Sequence, residues 1–395
     1  MQTKPTTSQA TDRPALIIEY TDPIEGFKGW LVRDRIYHRI CAGGMRIQTG
    51  LTLEKLTYMA RNMTCKMRIA GLRVDGAKSG MDYYPQAPGK SEAVARFLKA
   101  IKPYIEETYS MGPDLNIEME ELEKIAGGIG IPSVKMAIAK AQGWDLAYYL
   151  ERSSILQAEV NGWSVSRLRA GYGLAAAVLA VLHFMNIENS EATAAIQGFG
   201  TLARACASRL YRAGVKIMAI ADIEKCLVPA HGQGLDIPKL LLGSGPLLEI
   251  EGLDGITVKP SAAVTAIHCD VLVPAAVEYS ISADIALALQ VKAVVPGANL
   301  AVPSDSSDIL QDRSVIVLPD FLPGCGGSLS MEGLFAPVLH PSAGAVLQHI
   351  DQKMFAIISE VLQKSAKESI SPTAAALRLC HEEECLPDTR PYGQP

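Results

Sequence analysis

The stretch Ala194–Asp222, AAIQGFGTLARACASRLYRAGVKIMAIAD, restricts the fold more than any other part of the chain. A short apolar run, Ala194–Ile196, reads as a buried strand. Gly198, Gly200 and Ala203 follow at the spacing G-x-G-x-x-A. A helical pattern comes next, with Leu202, Cys206 and Leu210 on one face. Gly214 ends it, and Val215–Ala221 reads as a second buried strand finishing on Asp222. Each part has a job in dinucleotide binding. Gly198 allows the tight turn, Gly200 lets the backbone approach a pyrophosphate, and Ala203 keeps the helix close to the sheet. The helix start, with Phe199, Thr201 and Leu202 around it, offers free N–H groups and a positive dipole end to phosphates. Asp222, with Ile223 after it, stands where a carboxylate would accept from ribose hydroxyls.

At 395 residues, with 48% apolar and 20% charged residues, the chain has the size and composition of a two-domain globular protein. A net charge of −5 without a basic block argues against a nucleic-acid partner. The longest apolar run, Ala175–Met185, is interrupted by His183 and is short for a membrane span. The N-terminus lacks the apolar segment of a secretory signal. Eight cysteines are scattered at 41, 65, 206, 226, 269, 325, 380 and 385, and read as reduced thiols of a cytoplasmic protein. Cys380, His381 and Cys385 have no second ligand pair at zinc-site spacing, so no metal site is expected there.

Before the dinucleotide motif, Ala15–Tyr20 and Gly29–Val32 look like strands. Ala42–Arg46 reads as a glycine loop, and Thr52 as the cap of a helix whose stripe is Leu53, Leu56, Ala60, Met63 and Met67. Leu72–Val74 reads as a strand and Asp75–Gly80 as a tight turn. Helical patterns follow near 91–108, 118–126 and 133–141, with a loop over Met111–Asn116 between the first two. An alanine-rich helix at 166–187 leads into the dinucleotide strand. Short apolar runs at 256–258, 271–273, 293–296 and 314–318 suggest a continued parallel sheet.

Two lysines, Lys66 and Lys78, sit in a mostly apolar segment. A lone lysine there would ordinarily be a snorkelling surface residue. Lys78, flanked by Gly76 and Gly80, has room for a small ligand beside it. Desolvation and a neighbouring lysine would bring its pKa toward neutrality, as an acid/base group needs. Asp114 is either a proton-shuttling partner or a turn residue before the helix near Glu118, and spacing alone leaves both readings open.

These segments together resemble the glutamate/leucine/phenylalanine/valine dehydrogenase family, which oxidatively deaminates L-amino acids with NAD(P). The resemblance runs from about residue 15 to 335. It is carried by AGGMR (42–46), MTCKMRIAGLRVDGAKSG (63–80), GPDLNI (112–117), IQGFGTLA (196–203), DVLVPAAVE (270–278), PGAN (296–299) and PDFLPGCGG (319–327). It implies that Lys66 grips the substrate α-carboxylate, that Lys78 is the catalytic base and that Asp114 moves protons. Gly43, Gly44 and Gly112 would border the substrate, and Ala275, Ala276 and Asn299 the cofactor. Asp75, Ala170 and Gly324 depart from the family pattern, Asp75 placing a negative charge beside Lys78. Ala42 and Met331 stand where glutamate-specific members hold a side-chain carboxylate, and Ser328 would line the same space. The expected reaction is therefore NAD-dependent deamination of an apolar or aromatic L-amino acid to the 2-oxo acid and ammonia. The alternative is a catalytically silent NAD-binding regulator or partner of the same fold. The expected architecture is α/β. A loose tail (1–14) precedes a substrate and oligomerisation domain (15–150). A Rossmann domain (165–335) follows, then helices returning to the first domain (336–375) and a loose tail (376–395). A cleft would lie between the domains. A homo-oligomer is expected, with neither membrane nor nucleic acid as partner.

Overall fold

A computed structural model describes residues 13–243, 245, 247–336, 341–381 and 389–393. The chain divides into two compact units, Met1–Glu151 with Glu383–Pro395, and Arg152–Glu382.

The first unit contains β1 (Leu16–Thr21), β2 (Lys28–Arg33), β3 (Cys41–Ile47), α1 (Leu53–Ile69), β4 (Asp75–Met81), α2 (Lys90–Glu107), β5 (Tyr109–Pro113), α3 (Met119–Gly128) and α4 (Ala137–Gln142). Helix α5 (Leu146–Ser154) crosses into the second unit. The strands form one sheet in the order β1-β2-β4-β3-β5, with β3 parallel to both β4 and β5. Alternation along the strands sorts side chains between two faces. Leu31, Met45, Ala77 and Met81 share a core with Phe97, Leu98 and Ile101 of α2 and Leu122 of α3. Trp30 and Val32 pack instead with Leu56 and Ala60 of α1. Thr52 caps α1, its hydroxyl accepting from Lys55 N at 3.3 Å, a contact worth about 1 kcal/mol. Gly71, at φ +70°, follows its end.

Two expectations are corrected here. Asp75–Gly80 is a fully buried strand and no turn, and Ala42–Arg46 lies within β3. Glycine is depleted in strands, so its density suggested loops. These glycines serve close approach instead. A Cβ on Gly76 would lie 2.1 Å from Thr64 N and 2.3 Å from Ala60 O of α1, and one on Gly43 would lie 1.8 Å from Ala77 O. Met111–Pro113 likewise belongs to β5, leaving Asp114 just past the strand end.

The second unit begins with a small hairpin, β6 (Glu159–Val160) and β7 (Trp163–Ser164), and then α6 (Val165–Phe184). β8 (Thr193–Gln197), α7 (Thr201–Arg212), β9 (Lys216–Ala221), β10 (Lys225–Pro229), α8 (Ile237–Leu240) and β11 (Ile256–Pro260) follow. The remainder is β12 (Cys269–Pro274), α9 (Ala283–Ala288), β13 (Val291–Val294), α10 (Ser304–Asp312), β14 (Ile316–Val317), α11 (Gly326–Phe335), α12 (Ala343–Glu368) and α13 (Pro372–His381). The sheet order is β11-β10-β9-β8-β12-β13-β14. From β9 to β14 all neighbours are parallel. β10 and β11 are antiparallel, so the run at 256–258 does not continue the parallel sheet as expected. Three residues join β9 to β10, which suffices for a hairpin and is far too short for a parallel crossover.

Helix α6 is the core of this unit. It is long and apolar enough to cross a membrane, yet it is mostly buried inside the protein. Gly171 meets α7, where a Cβ would lie 2.4 Å from that of Ala205, and Gly173 meets Gly326. Helix α12 packs along α6, so the C-terminal helices belong to the second unit and do not complete the first. The expected loose tail is also corrected. Residues 372–381 form α13 with Cys380 buried, and Tyr392 is buried with its N–H on Gln142 Oε1 at 3.2 Å. The expected tail at 1–14 and Cys385 fall almost wholly outside the described residues. Cys41, Cys206, Cys226 and Cys269 are buried free thiols.

Candidate active site

In the first unit, pairing places Ala42 beside Gly76, Gly44 beside Gly112 and Arg46 beside Gly80. Residues two apart share a face. Ala42, Gly44, Arg46, Gly76, Lys78, Gly112 and the following Asp114 therefore lie toward one face, the side on which α1 covers Gly76. Small residues leave that face open enough for three charged side chains to meet. Lys78 Nζ lies 3.2 Å from Asp114 Oδ2, and Arg46 Nε donates to the same oxygen at 2.6 Å. Arg46 also reaches Gln48 Oε1 at 3.2 Å. Lys78 and Arg46 are buried, and Asp114 is half-buried.

The electrostatics suit proton transfer. Burial is the largest influence on Lys78 and lowers its pKa. The charges of Arg46 and Lys66 act in the same direction, against the attraction of Asp114. For Asp114, burial alone would raise the pKa. Lys78 and Arg46 outweigh it and hold the carboxyl well below the usual carboxylate range. Lys66, in the last turn of α1, is half-buried and close enough for its charge to act on Lys78.

Asp75 does not crowd this cluster. It lies three residues from Lys78, hence toward the opposite face, and pairs with Arg33 Nη2 at 2.7 Å. It also accepts from the N–H groups of Tyr37 and His38. The expectation of a negative charge beside Lys78 is thereby corrected.

In the second unit, Gly198 has φ +113°, and Ala275 O would lie 2.8 Å from a Cβ there, so only glycine fits. Ala275 thus borders the turn directly, and Ala276 is exposed next to it. A Cβ on Gly200 would meet nothing within 4 Å, which leaves the mouth of the turn open above the start of α7. This is a cradle that a pyrophosphate fits. Phe199 and Ala203 are buried, while Thr201 is exposed and Leu202 half-buried. The loop before Asn299 is latched by Gly297 N and Ala298 N to Pro274 O, at 2.9 and 3.1 Å. Asn299 is half-buried.

Asp222 carries more structure than expected. Its carboxylate accepts from the N–H groups of Glu224, Lys225 and Leu248 at 2.8, 2.7 and 2.6 Å. A ribose hydroxyl would share an oxygen that already orders the turn. Ile223 is exposed. Ser328 and Met331 are buried on α11 of this unit, and Ala42 is half-buried in the first.

Three basic residues were not singled out by sequence. Arg46 appeared only as the end of AGGMR, and its role emerges from the register of β3. Lys135 is buried and donates to Met111 O at 2.8 Å. A Cβ on Gly112 would lie 3.5 Å from its Nζ, so the lysine borders the same space as Gly112. Arg169 is buried in α6. Among the described residues, no group of three His, Cys, Asp or Glu could hold a metal ion.

The model of the Glutamate/Leucine/Phenylalanine/Valine dehydrogenase family matches residues 162–383, and that of the Glu/Leu/Phe/Val dehydrogenase dimerisation domain matches residues 15–129. The chain is 27% identical over 291 residues to NADP-specific glutamate dehydrogenase A1 of Halobacterium salinarum, covering 72% of this chain and 66% of that protein. It is 25% identical over 374 residues to NADP-specific glutamate dehydrogenase of Saccharolobus shibatae, covering 89% and 82% respectively. The hetero-hexameric glutamate dehydrogenase from Thermus thermophilus, in its Leu-bound form, superposes with a TM-score of 0.75 at 23% identity. That match covers 93% of this chain and 88% of the other, a likeness of fold.

Proposed function

Because the chain belongs to the glutamate/leucine/phenylalanine/valine dehydrogenase family, we propose that it oxidatively deaminates an L-amino acid with NAD. The products are the 2-oxo acid, ammonium, NADH and a proton, with one water consumed. The observation that carries this reading is the Lys78–Asp114–Arg46 cluster on the α1 side of the first sheet. The turn at Gly198 and Gly200 and the start of α7 would hold the dinucleotide, which when bound would supply the acceptor for the substrate Cα hydride. Lys66 supports the α-carboxylate by a charge-assisted contact. Lys78, as the neutral amine, takes a proton from the water that adds to the iminium carbon. Asp114 relays a proton to the departing nitrogen as the carbinolamine collapses.

The relatives from Halobacterium salinarum and Saccharolobus shibatae are NADP-specific, whereas the preference proposed for this chain is NAD. Asp222 and Glu224 place carboxylates at the end of β9, where a 2′-phosphate would meet repulsion. Lys225 is no counterweight, since its Nζ lies 3.0 Å from Leu248 O and 3.4 Å from Glu224. The side-chain class proposed is apolar or aromatic, including side chains with a polar tip. Its support is that Ala42 and Met331 lack any group to pair a second carboxylate, and an unpaired buried carboxylate costs several kcal/mol. A homo-oligomer is proposed from the matched dimerisation domain.

A catalytically silent NAD-binding partner is the second reading, supported by Ala170. It loses the support of Asp75, whose charge is taken by Arg33. NADH formation measured across the twenty L-amino acids, with NAD and NADP in parallel, tests the proposal. Absence of turnover with every amino acid while NAD still binds would establish the silent reading. Glutamate as the best substrate would overturn the side-chain class alone.

A further inference from the structure

Five arginines are buried among the described residues: Arg33, Arg46, Arg152, Arg169 and Arg204. Four have a carboxylate, at least two carbonyls or an aromatic ring as partners. Arg33 pairs with Asp75 and Arg46 with Asp114. Arg152 donates to the carbonyls of Leu334 and Ala336 at 2.6 and 2.8 Å. Arg204 donates to the carbonyl of Gly245 at 2.7 Å and stacks over Trp163 and Phe199. Arg169 differs. Its one hydrogen bond runs from Nη1 to Ser330 Oγ at 3.3 Å, and it has neither a carboxylate nor an aromatic partner among the described residues. Ser330 in turn donates to Gly327 O at 2.6 Å, which leaves its lone pairs toward the guanidinium.

Burial pushes the Arg169 guanidinium down to about 10, with no charged group opposing it. Arg169 is the one charged residue among the buried positions of α6, which are otherwise Ala, Leu, Val, Gly and Tyr. The remaining nitrogens, Nε and Nη2, are reachable. Sealed atoms without partners occur on Arg61 and Arg204, and none occurs on Arg169. Nε and Nη2 form the edge of the planar fork that takes a carboxylate with two parallel hydrogen bonds.

We propose that Arg169, with Ser330 orienting it, is a carboxylate-binding position in the second unit. One guanidinium and one hydroxyl suit a single negative charge, whereas a phosphate would call for further cations or a helix N-terminus. Arg169 directly precedes Ala170, one of the departures from the family pattern, and Ser330 directly precedes Met331, which the family resemblance places beside the substrate. The assignment to a substrate therefore rests on the proposed function. The carboxylate is either the α-carboxylate of the amino acid, in keeping with the apolar or aromatic side-chain class proposed above, or a second one on the side chain, which would overturn that class.

The test uses the full chain without nucleotide, titrated with sodium propionate and sodium glutarate against sodium chloride at matched ionic strength. Melting temperature and calorimetric binding are followed. Wild type should melt higher with a carboxylate and show saturable binding. Arg169→Met should melt higher than wild type without ligand, because an uncompensated buried charge is gone. It should also bind the carboxylate about tenfold or more weakly. Arg169→Lys, which keeps the charge without the fork, should fall between. Carboxylates that bind wild type and Arg169→Met equally, or no better than chloride binds, would overturn the site, as would a lower melting temperature of Arg169→Met with unchanged binding. A chain inactive as a dehydrogenase would still pass this test, so the two proposals fail separately. In an active enzyme, KM values of Arg169→Met identify the source. A rise for every amino acid marks the α-carboxylate, and a rise confined to aspartate and glutamate marks a side-chain carboxylate.

Discussion

Replacing Arg46 by Met should move the acidic limb of the kcat/KM profile to higher pH. Arg46 and Lys78 converge on one oxygen of Asp114, at 2.6 and 3.2 Å. The guanidinium repels the Lys78 ammonium and so favours its neutral form, the form that acts as base. Two unit charges about 6 Å apart interact by about 3 kcal/mol at an effective dielectric of 20. That corresponds to roughly two pK units, and water entering the vacated space would halve the shift to about one. Losing Arg46 also leaves Asp114 to Lys78 alone, which stabilises the ammonium further in the same direction. The assay is initial-rate NADH formation from about pH 6 to 11 at subsaturating amino acid, with melting temperatures taken in parallel. Arg46→Lys keeps a positive charge, and its limb should stay near that of wild type even if the rate falls. A folded Arg46→Met enzyme whose limb stays put or moves to lower pH would refute the reasoning, because a simple packing role for Arg46 gives no reason for a shift.

Three further outcomes follow from the same geometry. Lys78→Ala should abolish turnover while NAD still binds in a fluorescence titration, and Asp114→Asn should lose about two to four orders of magnitude in kcat; near wild-type rates in either would remove its assigned role. Asp75→Gly strips the counter-charge from buried Arg33 and should destabilise the protein by about 3 kcal/mol in urea unfolding, leaving kcat unchanged; a rise in kcat would mean that Asp75 acts on Lys78 after all. NAD should exceed NADP in kcat/KM, and Asp222→Ala should narrow the ratio while lowering stability, since three backbone N–H groups lose their acceptor.

The dinucleotide half of the molecule was legible because its signal is local. Strand, glycine turn, helix and strand occur within thirty residues, each adding its own constraint, and Gly198 takes the positive φ that its turn requires. In the first unit the candidate residues stand out in sequence while their setting does not. Lys78 and Asp114 are candidates by residue chemistry and the fold brings them together, yet their strands read as a turn and a loop, because glycine density ordinarily marks chain reversal. Here the same glycines admit a helix backbone to within contact of the sheet, information held by Ala60 and Thr64 more than ten residues away. Arg46 illustrates the remainder. Nothing in AGGMR says that its fifth residue faces Asp114, because that follows from β5 pairing in parallel with β3 across sixty intervening residues. The C-terminal helices fail for the same reason. Their periodicity predicts an apolar face, and only the small-residue surface of α6, with Gly173 against Met354, determines which unit that face covers. Residue chemistry is thus readable wherever a motif is contiguous. Charge balance is settled by topology, and so two buried basic residues, Lys135 and Arg169, emerged only with the fold.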